Sequence, residues 1–84
     1  MPELSLYMTS WCSFCARVIA AIDALDLEVE LRDIDAQASF RDELQAATGR
    51  ATVPCLRMVS DAGEVSWQHE SRDIIAALQG FAGR

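Results

Sequence analysis

Two cysteines, Cys12 and Cys15, stand three positions apart within Trp11-Cys12-Ser13-Phe14-Cys15. Thiols at this spacing do one of two things: they exchange with disulfides, or they hold a metal ion as thiolates. The spacing does not separate the two, and the flanking sequence has to. An apolar run, Leu4-Ser5-Leu6-Tyr7-Met8, precedes the pair, and a helical pattern of Val18, Ile19, Ile22 and Leu25 follows it. A Cys-x-x-Cys at a strand-to-helix joint sets its first sulfur beside the unpaired N–H groups of the first helical turn, where negative charge is favoured. That context selects a reactive thiolate at Cys12. A zinc site would need further ligands. Cys55 and His69 are the candidates, but the second close pair usual in zinc ribbons is absent.

The elements that must position the pair follow from the pattern. Residues 4–8 have strand character and end in a loop at Thr9-Ser10. A helix after Cys12 lasts to about Asp26, with Val18, Ile19, Ile22 and Leu25 on its core face. Residues 28–32 alternate polar and apolar, as a strand with one exposed side does. A strand–helix–strand unit of this kind makes its strands parallel and its crossover right-handed. Ser39 caps a second helix through Thr48, with Phe40, Leu44 and Ala47 inside and Gly49 as its stop. After a loop at Arg50-Ala51-Thr52 come a strand over 55–59, a turn at Asp61-Ala62-Gly63 and a strand over 64–67. A last helix over 71–78 turns Ile74, Ile75, Leu78 and Phe81 inward. The order βαβαββα predicts an α/β fold with a four-stranded mixed sheet and helices on both faces. Trp11 reads as a partly exposed ring beside Cys12, Trp67 as packed, and His69 as a polar surface residue before the last helix.

Composition narrows the function classes. Eighty-four residues leave room for one domain, 1–84, and half of them are hydrophobic, so a compact globule is expected. The net charge is −6, with seven arginines and no lysine, which argues against nucleic acid and anionic membrane as partners. No apolar run approaches membrane-spanning length, and the first residues lack a basic region followed by an apolar one. Three cysteines, an odd and small number, fit a reducing compartment with one working pair. The expectation is a cytoplasmic monomer.

Three segments taken together, Cys12-Ser13-Phe14-Cys15, Gly49-Arg50-Ala51-Thr52-Val53-Pro54 and Glu70-Ser71, resemble the glutaredoxin family of the thioredoxin superfamily along essentially the whole chain. The stretch Glu70-Ser71-Arg72-Asp73-Ile74-Ile75 is more similar to the glutathione-binding half of glutathione transferases. The resemblance implies a thioredoxin-like fold and a glutathione-dependent thiol-disulfide oxidoreductase, an electron-transport role in cell redox homeostasis. It implies Cys12 as nucleophile, Cys15 as resolving thiol, and glutathionylated or disulfide-containing proteins as partners. Glutathione as co-substrate would be held by Arg17, Arg50, Thr52, Val53, Pro54, Glu70 and Ser71. Arg50 would meet its glycine carboxylate. The N-terminus of the last helix with Ser71 would meet the γ-glutamyl carboxylate, and Glu70 the ammonium group. A cis peptide between Val53 and Pro54 is implied as well. The chain departs from the family at Thr9, where many members carry a lysine, at Ser13 for the usual proline, and at Phe14 for the usual tyrosine. Members with serine after the first cysteine can hold a [2Fe–2S] cluster between two protomers, so a cluster carrier using Cys12 and glutathione is the alternative. A thioredoxin-type reductase is a third reading, but it leaves Glu70-Ser71 and Arg50 without a ligand. Redoxins with a similar Thr9-Ser10-Trp11-Cys12 approach use other low-molecular-weight thiols, so the reductant stays open.

Overall fold

A computed structural model describes residues 2–83. Seven elements follow one another: β1 (Glu3–Met8), α1 (Ser13–Leu25), β2 (Glu30–Asp33), α2 (Ala38–Thr48), β3 (Cys55–Val59), β4 (Val65–His69) and α3 (Ser71–Ala82). The sheet order is β2-β1-β3-β4. β1 pairs with β2 in parallel and with β3 antiparallel, and β3 and β4 form an antiparallel hairpin. This is the mixed sheet with helices on both faces that the order of elements predicts.

β1 is the central strand and all of it past Glu3 is buried. Successive side chains of a strand point to opposite faces, and both faces are covered here. Leu4, Leu6 and Met8 meet Val18 and Ile22 of α1, Leu56 of β3, and Ile74 and Leu78 of α3 in one core. Tyr7 turns the other way and joins Ile34, Leu44 of α2 and Cys55 in a second, with Phe40, Val53 and Trp67 packed against it. Each of the fully buried leucines, Leu6, Leu44, Leu56 and Leu78, contributes about 2 kcal/mol through the apolar surface it removes from water.

The helix ends have local causes. α1 stops where Asp26 takes a left-handed φ of 54° and its N–H reaches the carbonyls of Ile22 and Asp23. α2 stops at Gly49 with φ 79°, a conformation open to a residue without Cβ. α2 starts earlier than Ser39. Gln37 occupies the cap position without a side-chain hydrogen bond, and Ser39 lies inside the helix. The turn ahead of it is closed instead by Asp33, whose Oδ1 accepts from the N–H groups of Asp35 and Ala36.

Three other expectations are corrected. Ala47 is exposed; its methyl is too short to reach the sheet, and it lines a shallow cleft with Tyr7, Arg32 and Trp67. β2 is an edge strand beyond the cover of α1, so Leu31 stays 47% exposed. On its other face Arg32 packs inward, its guanidinium over the rings of Tyr7 and Phe40 and hydrogen-bonded to Tyr7 Oη and Glu43. β4 runs on to His69, which is half-buried in the strand and does not stand free on the surface. Among the described residues no helix is long and apolar enough to cross a membrane.

Candidate active site at the start of α1

Cys12 is the cap residue of α1, with extended backbone at φ −84° and ψ 116°. Its carbonyl already accepts from Ala16 N–H at 3.0 Å. Its Sγ accepts from Cys15 N–H at 3.3 Å. The sulfur thus takes the place of the cap oxygen that usually satisfies a first-turn N–H. Cys12 is half-buried, whereas Cys15 is wholly buried, facing the core shared with Val18 and Leu56. Burial pushes the Cys15 thiol up to about 12, the adjacent Cys12 sulfur adding to the rise and a backbone hydrogen bond from Thr9 opposing it. Within one turn the chain therefore offers an accessible sulfur supported by helix N–H and a protonated thiol beneath it. The Thr9 hydroxyl, also buried, has no hydrogen-bond partner among the described residues.

The segment facing this pair is built from the ends of α2 and β3. The Thr48 hydroxyl lies 2.8 Å from the Leu44 carbonyl and 2.7 Å from that of Arg50, and Gln45 Nε2 donates to the Gly49 carbonyl at 2.8 Å. These contacts tie the start of the loop to the helix. The Val53-Pro54 peptide is cis. Pro54 is buried, Val53 is half-buried and touches both cores, and Arg50 and Thr52 are exposed. Through Val53 the loop packs against the same apolar cluster as Cys12 and Cys15.

The third piece is the junction of β4 and α3. Glu70 holds a φ of 71° at the cap position, and no side chain caps the helix. The half-buried Ser71 is the first helical residue. The first N–H groups of α3 are thus free of a side-chain cap, at an end that favours an anion. His69 sits opposite Cys55 in the hairpin, Nε2 to Sγ 3.7 Å, with its buried Nδ1 unpartnered. Burial lowers the His69 pKa, the Arg50 charge lowers it further, and Glu70 opposes both. Burial raises the Cys55 thiol to about 11. Arg50, His69 and Glu70 thus share one local field.

The loop at 50–54 and the α3 start come together around His69, and Val53 links them to the cysteine pair. Arg17 stands apart, its guanidinium 5.6 Å from the centroid of the Phe14 ring. The zinc set does not converge: Cys15 faces the core under α1 and Cys55 the core under α2, on opposite sides of the sheet. Among the described residues, no group of three or more His, Cys, Asp or Glu is arranged to hold a metal ion. One contact beside Cys12 has no signal in the sequence: the Trp11 indole N–H donates to Asp35 Oδ2 at 2.8 Å, across 24 positions.

Solved structures that share this fold include an isomerase, glutathione transferases and a glutaredoxin. Maleylacetoacetate isomerase of Anaeromyxobacter dehalogenans 2CP-1, with GSH bound in its active site, is 27% identical over 99% of this chain and 39% of its own, with a TM-score of 0.73. Glutathione transferase Omega 2S of Trametes versicolor is 16% identical, covers 99% of this chain and 39% of its own, and has a TM-score of 0.79. The chain thus spans about two fifths of the length of these proteins. Glutaredoxin of Brucella melitensis is 22% identical over 93% of this chain and 78% of its own, with a TM-score of 0.59. No curated protein matches. The glutaredoxin family model matches residues 4–60, from β1 through β3 and across both cysteines, and on that match the chain belongs to the glutaredoxin family.

Proposed function

We propose that residues 1–84 act as one glutaredoxin domain, a cytoplasmic monomer that reduces glutathione mixed disulfides and protein disulfides with glutathione as co-substrate. The observation that carries this reading is the asymmetry of the pair: an accessible Cys12 sulfur receiving a helix N–H, above a buried Cys15 held protonated. In the first step the Cys12 thiolate attacks the glutathione sulfur of a mixed disulfide. A Cys12–glutathione disulfide forms, and the client thiolate leaves and takes a proton from solvent. In the second, a glutathione thiolate attacks the sulfur of the bound glutathione, oxidised glutathione departs, and Cys12 is again a thiolate. As it leaves, the Cys12 sulfur keeps the hydrogen bond from the Cys15 N–H at the start of α1, an end that favours negative charge. For a protein disulfide, the Cys12 thiolate attacks one client sulfur and forms a mixed disulfide; Cys15, giving its proton to solvent, then attacks the Cys12 sulfur and expels the client thiolate, and two glutathiones reduce the resulting Cys12–Cys15 disulfide and leave as oxidised glutathione.

Several groups fit glutathione as the ligand. The uncapped start of α3 with Ser71 would accept the γ-glutamyl carboxylate, and Glu70 the ammonium. Arg50 would meet the glycine carboxylate, with Arg17 as a second cation. The Val53 backbone lies outside the β3 ladder, which starts at Cys55, so it is free to pair with an extended peptide beside Thr52 and Pro54. The positive φ of Glu70 strains a residue with a Cβ by about 1–3 kcal/mol, and such strain concentrates at ligand sites. The cluster-carrier alternative would take Cys12 and one glutathione from each of two protomers, four ligands in all, and it leaves the buried Cys15 without a part.

The test is glutathione-dependent reduction of hydroxyethyl glutathione disulfide, coupled to glutathione reductase. The native chain and Cys15→Ser are expected to turn over within a few-fold of one another, and Cys12→Ser to be inactive. Loss of activity in Cys15→Ser would overturn the assigned roles. No activity in the native chain would overturn glutathione as the reductant.

A further inference from the structure

Trp11 is 76% exposed, yet its ring is held in place. The hydrogen bond from Nε1 to Asp35 Oδ2 is only the first link. Asp35 Oδ1 accepts from Arg41 Nη2 at 3.0 Å, and the Asp35 N–H donates to Asp33 Oδ1 at 2.9 Å. The carboxylate that holds the indole is thus fixed by α2 from one side and by the turn after β2 from the other. Two positions beyond Cys12, Phe14 is 54% exposed under the Arg17 guanidinium. Two large rings therefore flank the nucleophile in water. A freely solvated indole gains nothing from a set orientation, whereas rigid aromatic area is what binds an apolar partner at low entropic cost.

Sheet order separates this rim from the ligand groove of the proposed function, on which the inference rests. Asp35 follows β2, on one side of β1, so Trp11 leans toward that edge. Of the groups assigned to glutathione, all but Arg17 of α1, which lies between the two sides, follow or precede β3 and β4, on the other side. A mixed disulfide has two halves. With glutathione on the β3–β4 side, the client polypeptide leaves across the β2 side.

We propose that Trp11, oriented by Asp35 as a positioning residue, docks the client segment of the mixed disulfide, an extended peptide with an apolar side chain next to its glutathionylated cysteine. Asp35 is balanced by Arg41 and Arg17 lies at the rim, so the surface beside the sulfur carries no unpaired carboxylate from these residues. The chain's net charge of −6 disfavours acidic clients. The occupant is a neutral or basic apolar segment.

The experiment compares three substrates: hydroxyethyl glutathione disulfide, a glutathionylated peptide with leucine beside the cysteine, and the same peptide with serine there. For Trp11→Ala and Asp35→Ala, KM for the leucine peptide is expected to rise about five- to tenfold, the size of one aromatic contact. The other two substrates should change less than twofold, and kcat should hold for all three. Asp35→Asn, which keeps an oxygen for the indole N–H, should restore the native KM. Equal effects on both peptides, or none on either, would overturn the docking role. A second measurement needs no turnover: titration with a redox-inert leucine peptide, its cysteine replaced by serine, should shift the Trp11 indole N–H resonance and leave that of Trp67 in place. Absence of that shift overturns the inference whatever the activity. Failure of the native chain on the small disulfide alone, with the shift present, would overturn the proposed function and leave the docking surface standing.

Discussion

Alkaline pH should unfold this domain through its two buried thiols. In the native state Cys15 is pushed up to about 12 and Cys55 to about 11, both by burial, against about 8.5 for a free thiol. Above pH 8.5 the unfolded chain gives up both protons while the folded chain keeps them. The native state then binds more protons, and stability falls as pH rises. The contribution is full below pH 8.5 and lost progressively until pH passes about 11 for Cys55 and about 12 for Cys15. Each thiol costs on the order of 1 kcal/mol per pH unit in that window, so from pH 8.5 to 10.5 the loss is roughly 4 kcal/mol. That is comparable with the whole stability of a small domain, about 5–15 kcal/mol. Tyr7, raised by burial and then by its hydrogen bond to Glu43, adds loss in the same direction only above pH 10. The assay is urea unfolding followed by circular dichroism at half-unit steps, with a phosphine keeping Cys12 and Cys15 reduced. Cys55→Ala and Cys15→Ala should each lower stability at pH 7 and roughly halve the slope against pH. A flat urea midpoint from pH 8.5 to 10.5, or an unchanged slope in both variants, would refute the reasoning.

His69 acts at the other end of the scale: its lowered pKa contributes stability above the free histidine value of about 6.5, lost as pH falls toward the folded value, and His69→Gln should flatten that acid limb in the same unfolding series. Glu70→Gly should relieve the strained φ and raise Tm, corresponding to about 1 kcal/mol or more, while KM for glutathione rises; a lower Tm would contradict the strain. Leu78→Ala, at a fully buried position in the core between α1 and α3, should cost about 2–5 kcal/mol by urea unfolding. Anaerobically purified protein should show no visible absorption band, and a cluster spectrum would favour the carrier alternative.

Much of this arrangement is legible in the sequence because local and long-range signals agree. Leu4, Leu6 and Met8 at period two, and Val18 and Ile22 at helical spacing, mark the faces that meet in one core. Gly49 marks its helix end correctly. The misread positions are those where side-chain reach or sheet edges decide. Arg32 is polar by type but buries its stem and ring-stacking plane against Tyr7 and Phe40, while Leu31 is left out because no helix covers the edge. Ser39 has cap chemistry, yet Asp33 closes the turn ahead of it. At the site, the cysteines, the 50–54 loop and the α3 start are visible as segments, each with a local signature. The Asp35 link to Trp11 is not, since a contact across 24 positions depends on where β2 ends. His69 looks like a surface residue until the register sets it opposite Cys55.

The position of β1 in the sheet bears on how the chain is made. This strand is synthesised before both of its partners: one of its edges pairs with Glu30–Asp33 and the other with Cys55–Val59. A nascent chain that ends at α2 can close the β1-α1-β2 unit and no more. It leaves an open edge of apolar strand, the kind that recruits neighbouring chains. Emergence of β3 is therefore the event that seals the sheet.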